Sequence, residues 1–107
     1  MTVASPQRIH HPDPAAFDLA TILRTAGDPL RLQIIRLIAE REMSCSAICD
    51  GLGVGLSTGS YHLRLLREAG LTRSRGSGTQ RMISLRAGEL EERFPGIVAL
   101  LTRPDEA

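Results

Sequence analysis

Residues 56–85 read LSTGSYHLRLLREAGLTRSRGSGTQRMISL, a segment with two distinct halves. The first half has apolar residues at the three-, four- and seven-residue spacings of one helix face. These residues are Leu56, Leu63, Leu66 and Ala69. Gly70 follows at the position where helices commonly end. We therefore predict a helix that begins near residue 56, turns this stripe inward and ends at Gly70.

The residues after Gly70 predict two short strands joined by a turn. Residues 71–75 alternate in a way that places Arg73 and Arg75 on the solvent face of a strand. A tip of glycine, serine and threonine at 76–79 separates them from a second arm that carries Arg81. A helix followed by a basic hairpin has the shape of a recognition helix with a wing.

The positive charge of the chain is concentrated in this segment. The 107 residues carry a formal net charge of only +1. Residues 57–86, however, hold six arginines and one glutamate, a net charge of +5, whereas the flanking segments are net negative. All thirteen basic residues are arginines, which suit bidentate contacts with phosphate and guanine better than lysines do. This distribution is typical of nucleic-acid binding.

Capping signals predict three helices before residue 56. Asp13-Pro14 predicts a first helix that runs to about residue 26, and Asp28-Pro29 predicts a second that runs to about residue 41. Ser44 is a good N-cap for a short third helix. The glycine-rich turn 51–55 joins that helix to the next, which makes a helix-turn-helix.

The end of the chain is predicted to support a dimer. Residues 87–94 predict a short acidic helix, and an apolar turn follows the interruption at Pro95. The first helix and this C-terminal end are apolar on more than one face, which favours packing against a second copy of the chain.

We therefore predict a mainly α fold with a β-hairpin wing (α+β), a homodimeric winged helix-turn-helix with about five helices. It would comprise a flexible arm over 1–12, a DNA-binding and dimerisation domain over 13–102 and a tail over 103–107.

The predicted DNA-binding residues lie at the head of the helix and along the wing. Small hydroxyls allow a close approach to base edges and phosphates, and arginines reach phosphate or guanine. Wing arginines would follow the DNA backbone or enter the minor groove. Gly59 lowers helix propensity by about 1 kcal/mol relative to alanine; it either permits a close approach or softens the helix. The predicted set is Ser57, Thr58, Ser60, Tyr61, His62, Arg64, Arg73, Arg75, Gln80 and Arg81.

Two cysteines and an adjacent pair of histidines are the candidates for a sensory site. Cys45 and Cys49 lie four residues apart, so their side chains share one helix face. One interpretation is a thiol pair for redox sensing or for binding a soft metal ion. The other is that both residues pack in the core, and the apolar neighbours of Cys49 favour this interpretation for Cys49. His10 and His11 are weak metal candidates, because a chelate needs further fixed ligands. The sequence leaves the effector open, with a transition-metal ion among the choices.

We expect a cytoplasmic protein, because the sequence has no secretory signal, no apolar run of membrane-spanning length and two cysteines that fit a reducing compartment. An enzyme is not expected, since the cysteine spacing is not Cys-x-x-Cys and no base or carboxylate set surrounds it. The alternative to a DNA-binding regulator is a winged-helix protein–protein interaction module or co-regulator, against which the basic wing argues.

Taken together, three motifs resemble the ArsR-type winged-helix transcriptional repressors of bacteria. Asp28-Pro29-Leu30-Arg31 opens the second helix, SYHL at 60–63 precedes LREAGL at 66–71, and the arginine-rich wing ends in Ser84-Leu85-Arg86. The similarity covers about residues 17–101. It implies a homodimer joined through its first and last helices. It also implies a double-stranded DNA operator, bound with the paired recognition helices in successive major grooves, and release when a metal or other inducer binds.

The metal ligands of that family are not matched here. The Cys-x-Cys of its founding members aligns with Ser44 and Ser46. Cys45 and Cys49 fall where the family usually has buried apolar or small residues. Residues 87–107 contain no histidine for the family's alternative site on the last helix. The resemblance therefore implies a DNA-binding regulator, and its metal specificity does not carry over.

Overall fold

The computed structural model describes residues 9–104 and forms a winged helix-turn-helix, which confirms the predicted fold class. Residues 1–8 of the predicted arm and 105–107 of the predicted tail lie outside this range. The described residues contain six α-helices: α1 (Leu19–Ala26), α2 (Pro29–Ile38), α3 (Cys45–Leu52), α4 (Leu56–Ala69), α5 (Ala87–Arg93) and α6 (Ile97–Thr102). Three antiparallel strands accompany them: β1 (Met43–Ser44), β2 (Thr72–Ser77) and β3 (Gln80–Leu85).

The helices α3 and α4 begin and end where the sequence predicts. Ser44 Oγ accepts a hydrogen bond from Ala47 N–H at 3.0 Å and so caps α3. Gly70 ends α4 in the left-handed region, with a φ of 95°. Leu71 N–H then donates to Leu66 O at 2.9 Å, which closes the glycine C-cap. Local capping signals therefore fix the boundaries of both helices.

The first helix differs from its prediction. Asp13 caps only a single 3₁₀ turn, Pro14–Ala16, and the backbone is extended at Phe17 and Asp18. Asp18 supplies a second N-cap, accepting a hydrogen bond from Thr21 N–H at 3.0 Å, and α1 begins there. The break lets the ring of Phe17, which is only 6% exposed, turn into the core.

The second helix ends at Ile38 rather than near residue 41, and an unpredicted strand follows. Strand β1 pairs Met43 with Ile83 and Ser44 with Met82. A strand of two residues is too short to show alternation, so the sequence carries no signal for it. The predicted two-stranded hairpin is therefore part of a three-stranded sheet with the order β1-β3-β2.

Strands β2 and β3 form the predicted wing. They pair antiparallel around a two-residue turn, with Arg75 opposite Met82. Thr72 and Ser74 are buried, whereas Arg73 and Arg75 are exposed. The predicted alternation along β2 is confirmed.

An aliphatic core holds the helices against the sheet. Leu56, predicted to face inward, is 60% exposed, and the buried residue in the first turns of α4 is Gly59 instead. None of the helices in residues 9–104 has the length and apolar character needed to cross a membrane. The most deeply buried aliphatic side chains are Ile22, Ile34, Ile35, Ile48, Leu66, Leu71, Ile83 and Leu90.

Gly59 lies in close contact with α3. A Cβ at this position would lie 2.2 Å from Cys49 Sγ. It would lie 3.7 Å from Cys49 Cβ and 3.7 Å from Val54 Cγ2. Cys49 is 2% exposed, as expected of a core residue. The close approach that Gly59 permits is therefore to the sulfur of Cys49 in α3.

We expect the substitution Gly59→Ala to lower the free energy of unfolding by about 1–3 kcal/mol, the usual cost of an extra methyl group in a packed core. In a Cys49→Ala background the same substitution should be neutral or stabilising by up to about 1 kcal/mol, because alanine favours a helix over glycine. Urea unfolding of the four proteins at one protein concentration measures both effects. An equal cost in the two backgrounds would contradict the contact.

Candidate nucleic-acid interface

The helix-turn-helix presents the first turns of α4 to solvent. Gly53 adopts the left-handed conformation with a φ of 69° and reverses the chain after α3. Val54 N–H then donates to Cys49 O at 3.0 Å. Gly55 caps α4 without a side-chain hydrogen bond. Helix N–H groups that lack a side-chain cap attract phosphate oxygens.

Five of the predicted DNA contacts form one exposed polar face of α4. The guanidinium of Arg64 lies 5.6 Å from the ring centroid of Tyr61. Arg64 also lies 3.7 Å from Glu68, but both side chains are half exposed, so this ion pair is weak. Hydroxyls, a phenol and a guanidinium thus share one solvent-exposed face of α4. The five residues are Ser57, Thr58, Ser60, Tyr61 and Arg64.

His62 lies on a different face of α4. It is half-buried, and its Nδ1 lies 3.1 Å from Nη1 of Arg31 in α2. Because arginine only donates, this nitrogen of His62 accepts the hydrogen bond. Nε of Arg31 donates to Thr25 O at 2.7 Å, so the pair connects α4 to α2 and α1. His62 therefore supports the position of α4, and a direct DNA contact by His62 stays a prediction.

The two arginines of β2 are engaged in ion pairs. Arg75 donates to both carboxylate oxygens of Glu42, from Nε at 2.8 Å and from Nη2 at 2.6 Å. These hydrogen bonds hold the pKa of Glu42 below its usual range. Arg73 Nη2 lies 2.9 Å from Glu89 Oε1. DNA binding by either arginine would therefore compete with a carboxylate. The remaining predicted wing residues, both exposed on β3, are Gln80 and Arg81.

Arg86 belongs to the basic segment by sequence but is 4% exposed. Its Nε and Nη2 donate to the two oxygens of Glu89 at 2.7 and 3.1 Å, and its Nη1 donates to Pro12 O at 2.8 Å. Its guanidinium lies 4.9 Å from the ring centroid of Phe17. Hydrogen bonds from Arg86 and Arg73 lower the pKa of Glu89 to about 2. The net charge of the segment therefore overstates the charge that a ligand can reach.

The four candidate metal ligands do not form one site, although Cys45 and Cys49 are neighbours. His11 Nε2 accepts a hydrogen bond from Ser74 N–H at 3.0 Å, while His10 is exposed. Cys45 and Cys49 are free thiols, and burial together with the neighbouring Cys45 raises the pKa of Cys49, which disfavours a reactive thiolate. Within residues 9–104, no three His, Cys, Asp or Glu side chains are placed to hold a metal ion.

Comparison with known proteins shows that the chain is similar to helix-turn-helix transcriptional regulators. A family model described as a helix-turn-helix domain matches residues 26–75. YceK of Bacillus subtilis, an uncharacterized HTH-type transcriptional regulator, is 34% identical over 84 residues, which cover 77% of this chain and 84% of YceK.

Two solved structures share the architecture of this chain. One is the homodimeric winged helix-turn-helix DNA-binding domain of a possible ArsR-family transcriptional regulator from Mycobacterium bovis, with a TM-score of 0.68, 26% identity and 82% of each chain covered. The other is the transcriptional repressor BigR from Xylella fastidiosa, with a TM-score of 0.61, 29% identity, and 71% of this chain and 85% of that chain covered.

The ion pairs of Glu89 predict how stability depends on pH. The pKa of Glu89 is lowered from 4.5 to about 2, so its contribution is fully present above pH 4.5 and is lost as the pH falls towards 2. We expect Glu89→Gln to be less stable than the parent at neutral pH and to lose less stability over that acidic range. Urea unfolding across the range measures this.

The matched control for that measurement is Glu92→Gln, which removes the same charge from an exposed position of α5. It should leave the pH profile of stability unchanged. If the parent and Glu89→Gln lost stability in parallel between pH 4.5 and 2, the ion pairs would not contribute as described.

Proposed function

Because the chain belongs to the ArsR-type winged helix-turn-helix transcriptional regulators, we propose that it is a homodimeric repressor that binds a double-stranded DNA operator. The observation that carries the proposal is the exposed polar face of α4 beside an arginine-bearing wing. The M. bovis domain supports a homodimer and BigR supports repression. A cytoplasmic location, alongside the DNA that it regulates, is part of the same proposal.

In this proposal α4 lies in the major groove. Hydroxyls of Ser57 and Ser60 and the side chains of Tyr61 and Arg64 would meet base edges there, where each base pair presents a distinct pattern of donors and acceptors. The wing would follow the backbone or reach the adjacent minor groove. In this arrangement α4 recognises the base sequence, and the wing arginines contribute affinity that does not depend on the base sequence.

The proposed dimer would use an apolar surface formed by α1 and the C-terminal end of the chain. Leu19 and Leu23 of α1 are 42% and 43% exposed, and Leu100 of α6 is 61% exposed. These three side chains line one open groove of about 510 Å³. A second copy of the chain would cover this surface, in agreement with the two-fold symmetry of DNA half-sites.

The described residues do not fit the metal effectors that the family resemblance implies. Cys49 is buried against Gly59, and its thiol has a raised pKa. His11 uses its Nε2 to accept a hydrogen bond from the wing. Neither residue offers a free lone pair to a metal ion, and within residues 9–104 no three His, Cys, Asp or Glu side chains are placed to hold one. The proposed function therefore assigns no effector.

Salt titration of DNA binding tests the proposed function. The logarithm of the affinity should fall linearly with the logarithm of the salt concentration, because binding releases counterions from phosphates. Replacing Arg73 and Arg75 by alanine should weaken binding to all DNA sequences to a similar extent. Replacing Ser60 or Tyr61 by alanine should instead change which sequence is preferred.

Fluorescence anisotropy with a panel of duplexes measures the salt slope and the sequence preference together. An affinity that does not depend on salt would argue for a protein–protein interaction module instead. If the wing and α4 variants changed sequence preference equally, the division of roles between the two elements would be wrong.

Leu23→Glu is expected to convert the dimer to a monomer, because it places a charge in the apolar surface. Affinity for a duplex with two half-sites should then fall at least about tenfold, since the two heads no longer bind as one unit. Leu56→Glu is the matched control: Leu56 is 60% exposed but lies on α4, so that variant should stay dimeric. Sedimentation equilibrium distinguishes the two, and a dimeric Leu23→Glu protein would contradict the proposed interface.

A further inference from the structure

A small cleft separates α4 from the wing. It has a cavity volume of about 70 Å³. Its walls carry three guanidinium groups and two serines, and no carboxylate is among its lining residues. The polar lining comes from Ser60, Arg64 and Arg67 of α4, from Ser74 and Arg81 of the sheet, and from Cys45 at the start of α3.

Two of these arginines differ from the other basic residues of the segment. In the part of the chain that the structure describes, neither Arg67 nor Arg81 takes part in an ion pair. The third, Arg64, has one long and exposed ion pair with Glu68, and its guanidinium lies 5.6 Å from the ring centroid of Tyr61. By contrast, the arginines outside the cleft on β2 and at the end of β3 are held by glutamates. The uncompensated positive charge of the segment therefore converges on the cleft.

The guanidinium of Arg67 has a donor that needs an acceptor. Its Nε is buried and has no hydrogen-bond partner among residues 9–104. A buried donor without a partner costs about 1–3 kcal/mol, and more on a charged group. Such groups are rare in native proteins, and each one requires an explanation such as an ion. An anion in the cleft would place a negative charge beside this guanidinium, which also lines the cleft.

The size and the donors of the cleft define the ligand. The cavity volume of about 70 Å³ is enough for a small polyatomic anion. Guanidinium groups bind phosphate oxygens with bidentate geometry, and hydroxyls donate to the same oxygens. We infer that the cleft binds one tetrahedral oxyanion, and that this oxyanion is a backbone phosphate of bound DNA.

The choice of DNA as the source rests on the proposed function and on the position of the cleft. A recognition helix in the major groove and a wing at the adjacent minor groove lie on either side of one phosphodiester strand. The space between α4 and the wing faces that strand. A phosphate held by Arg67 on the helix and Arg81 on the wing would fix the two elements relative to each other. It would add affinity without sequence preference.

The first experiment compares Arg67→Gln with Arg24→Gln, which removes the same charge from an exposed position of α1 outside the cleft. Anisotropy is measured over a salt series with several duplexes. Arg67→Gln should weaken binding about tenfold on every DNA sequence. It should also reduce the slope of log affinity against log salt concentration by about 0.9 for each cleft of the dimer that binds a phosphate. Arg24→Gln should leave the slope unchanged. Arg81→Gln, at an exposed position, gives the same readout if Arg67→Gln does not fold.

The second experiment tests the cleft without DNA. Inorganic phosphate is titrated into the full-length protein at constant ionic strength, with chloride as the balancing anion, and backbone amide shifts are followed by NMR. We expect saturable shifts at Ser60, Arg67 and Ser74 in the parent protein. Arg67→Gln should lose them, and Arg24→Gln should keep them.

The two experiments separate the sources of the oxyanion. A selective loss of DNA affinity and salt slope in Arg67→Gln supports a DNA phosphate. Saturable phosphate shifts without that loss support an oxyanion site but overturn DNA as its source. No saturable shift, together with equal DNA binding by Arg67→Gln and Arg24→Gln, overturns the inference. If the parent protein bound no DNA at all, the proposed function would fail, while the phosphate titration would still decide whether the cleft binds an oxyanion.

Discussion

The buried guanidinium of Arg86 connects three parts of the chain that are far apart in sequence. Its donors bind Glu89 in α5 and the carbonyl of Pro12 near the start of the described chain, and it covers the ring of Phe17. Its backbone N–H donates to Leu71 O at the base of the wing. A buried charge that loses its partner destabilises a protein by about 3–5 kcal/mol. The base of the wing therefore keeps its position only while the N-terminal segment and α5 are both in place.

The ion pairs divide the arginines into structural and available groups. Glu89 engages Arg86 and Arg73, and Glu42 engages Arg75. A phosphate that bound Arg73 or Arg75 would have to replace a glutamate carboxylate, and Arg75 holds Glu42 by two hydrogen bonds. Among the described residues, Arg67 and Arg81 form no ion pair, and both line the cleft between α4 and β3. Counting charges along the sequence therefore assigns too much free charge to β2.

Local signals were sufficient to predict α3, α4 and the wing, because Ser44, Gly70 and the alternation along β2 act within a few residues. Asp18 is a local N-cap for α1, but the other exceptions involve partners in other elements. The helix predicted from Asp13 is interrupted because Phe17 packs beside Gly70, and β1 exists only because β3 pairs with it. The role of Gly59 likewise depends on a sulfur ten residues away, in another helix. For the candidate site, the sequence predicted the exposed face of α4 but not the glutamates that neutralise the wing.

The same strand, β2, also has an edge to protect. In the order β1-β3-β2 it is an edge strand, and an unpaired N–H row on an edge is a template for unwanted pairing. His11 covers this edge by accepting the N–H of Ser74. Burial and the neighbouring Arg73 and Arg86 lower the pKa of His11, so the ring stays neutral and remains an acceptor at physiological pH. Ser74 thus donates its backbone N–H to His11 at the outer edge of the sheet, and it also lines the cleft between α4 and the wing. The hydrogen bond to His11 and the pairing of β2 with β3 hold this side of the cleft in place.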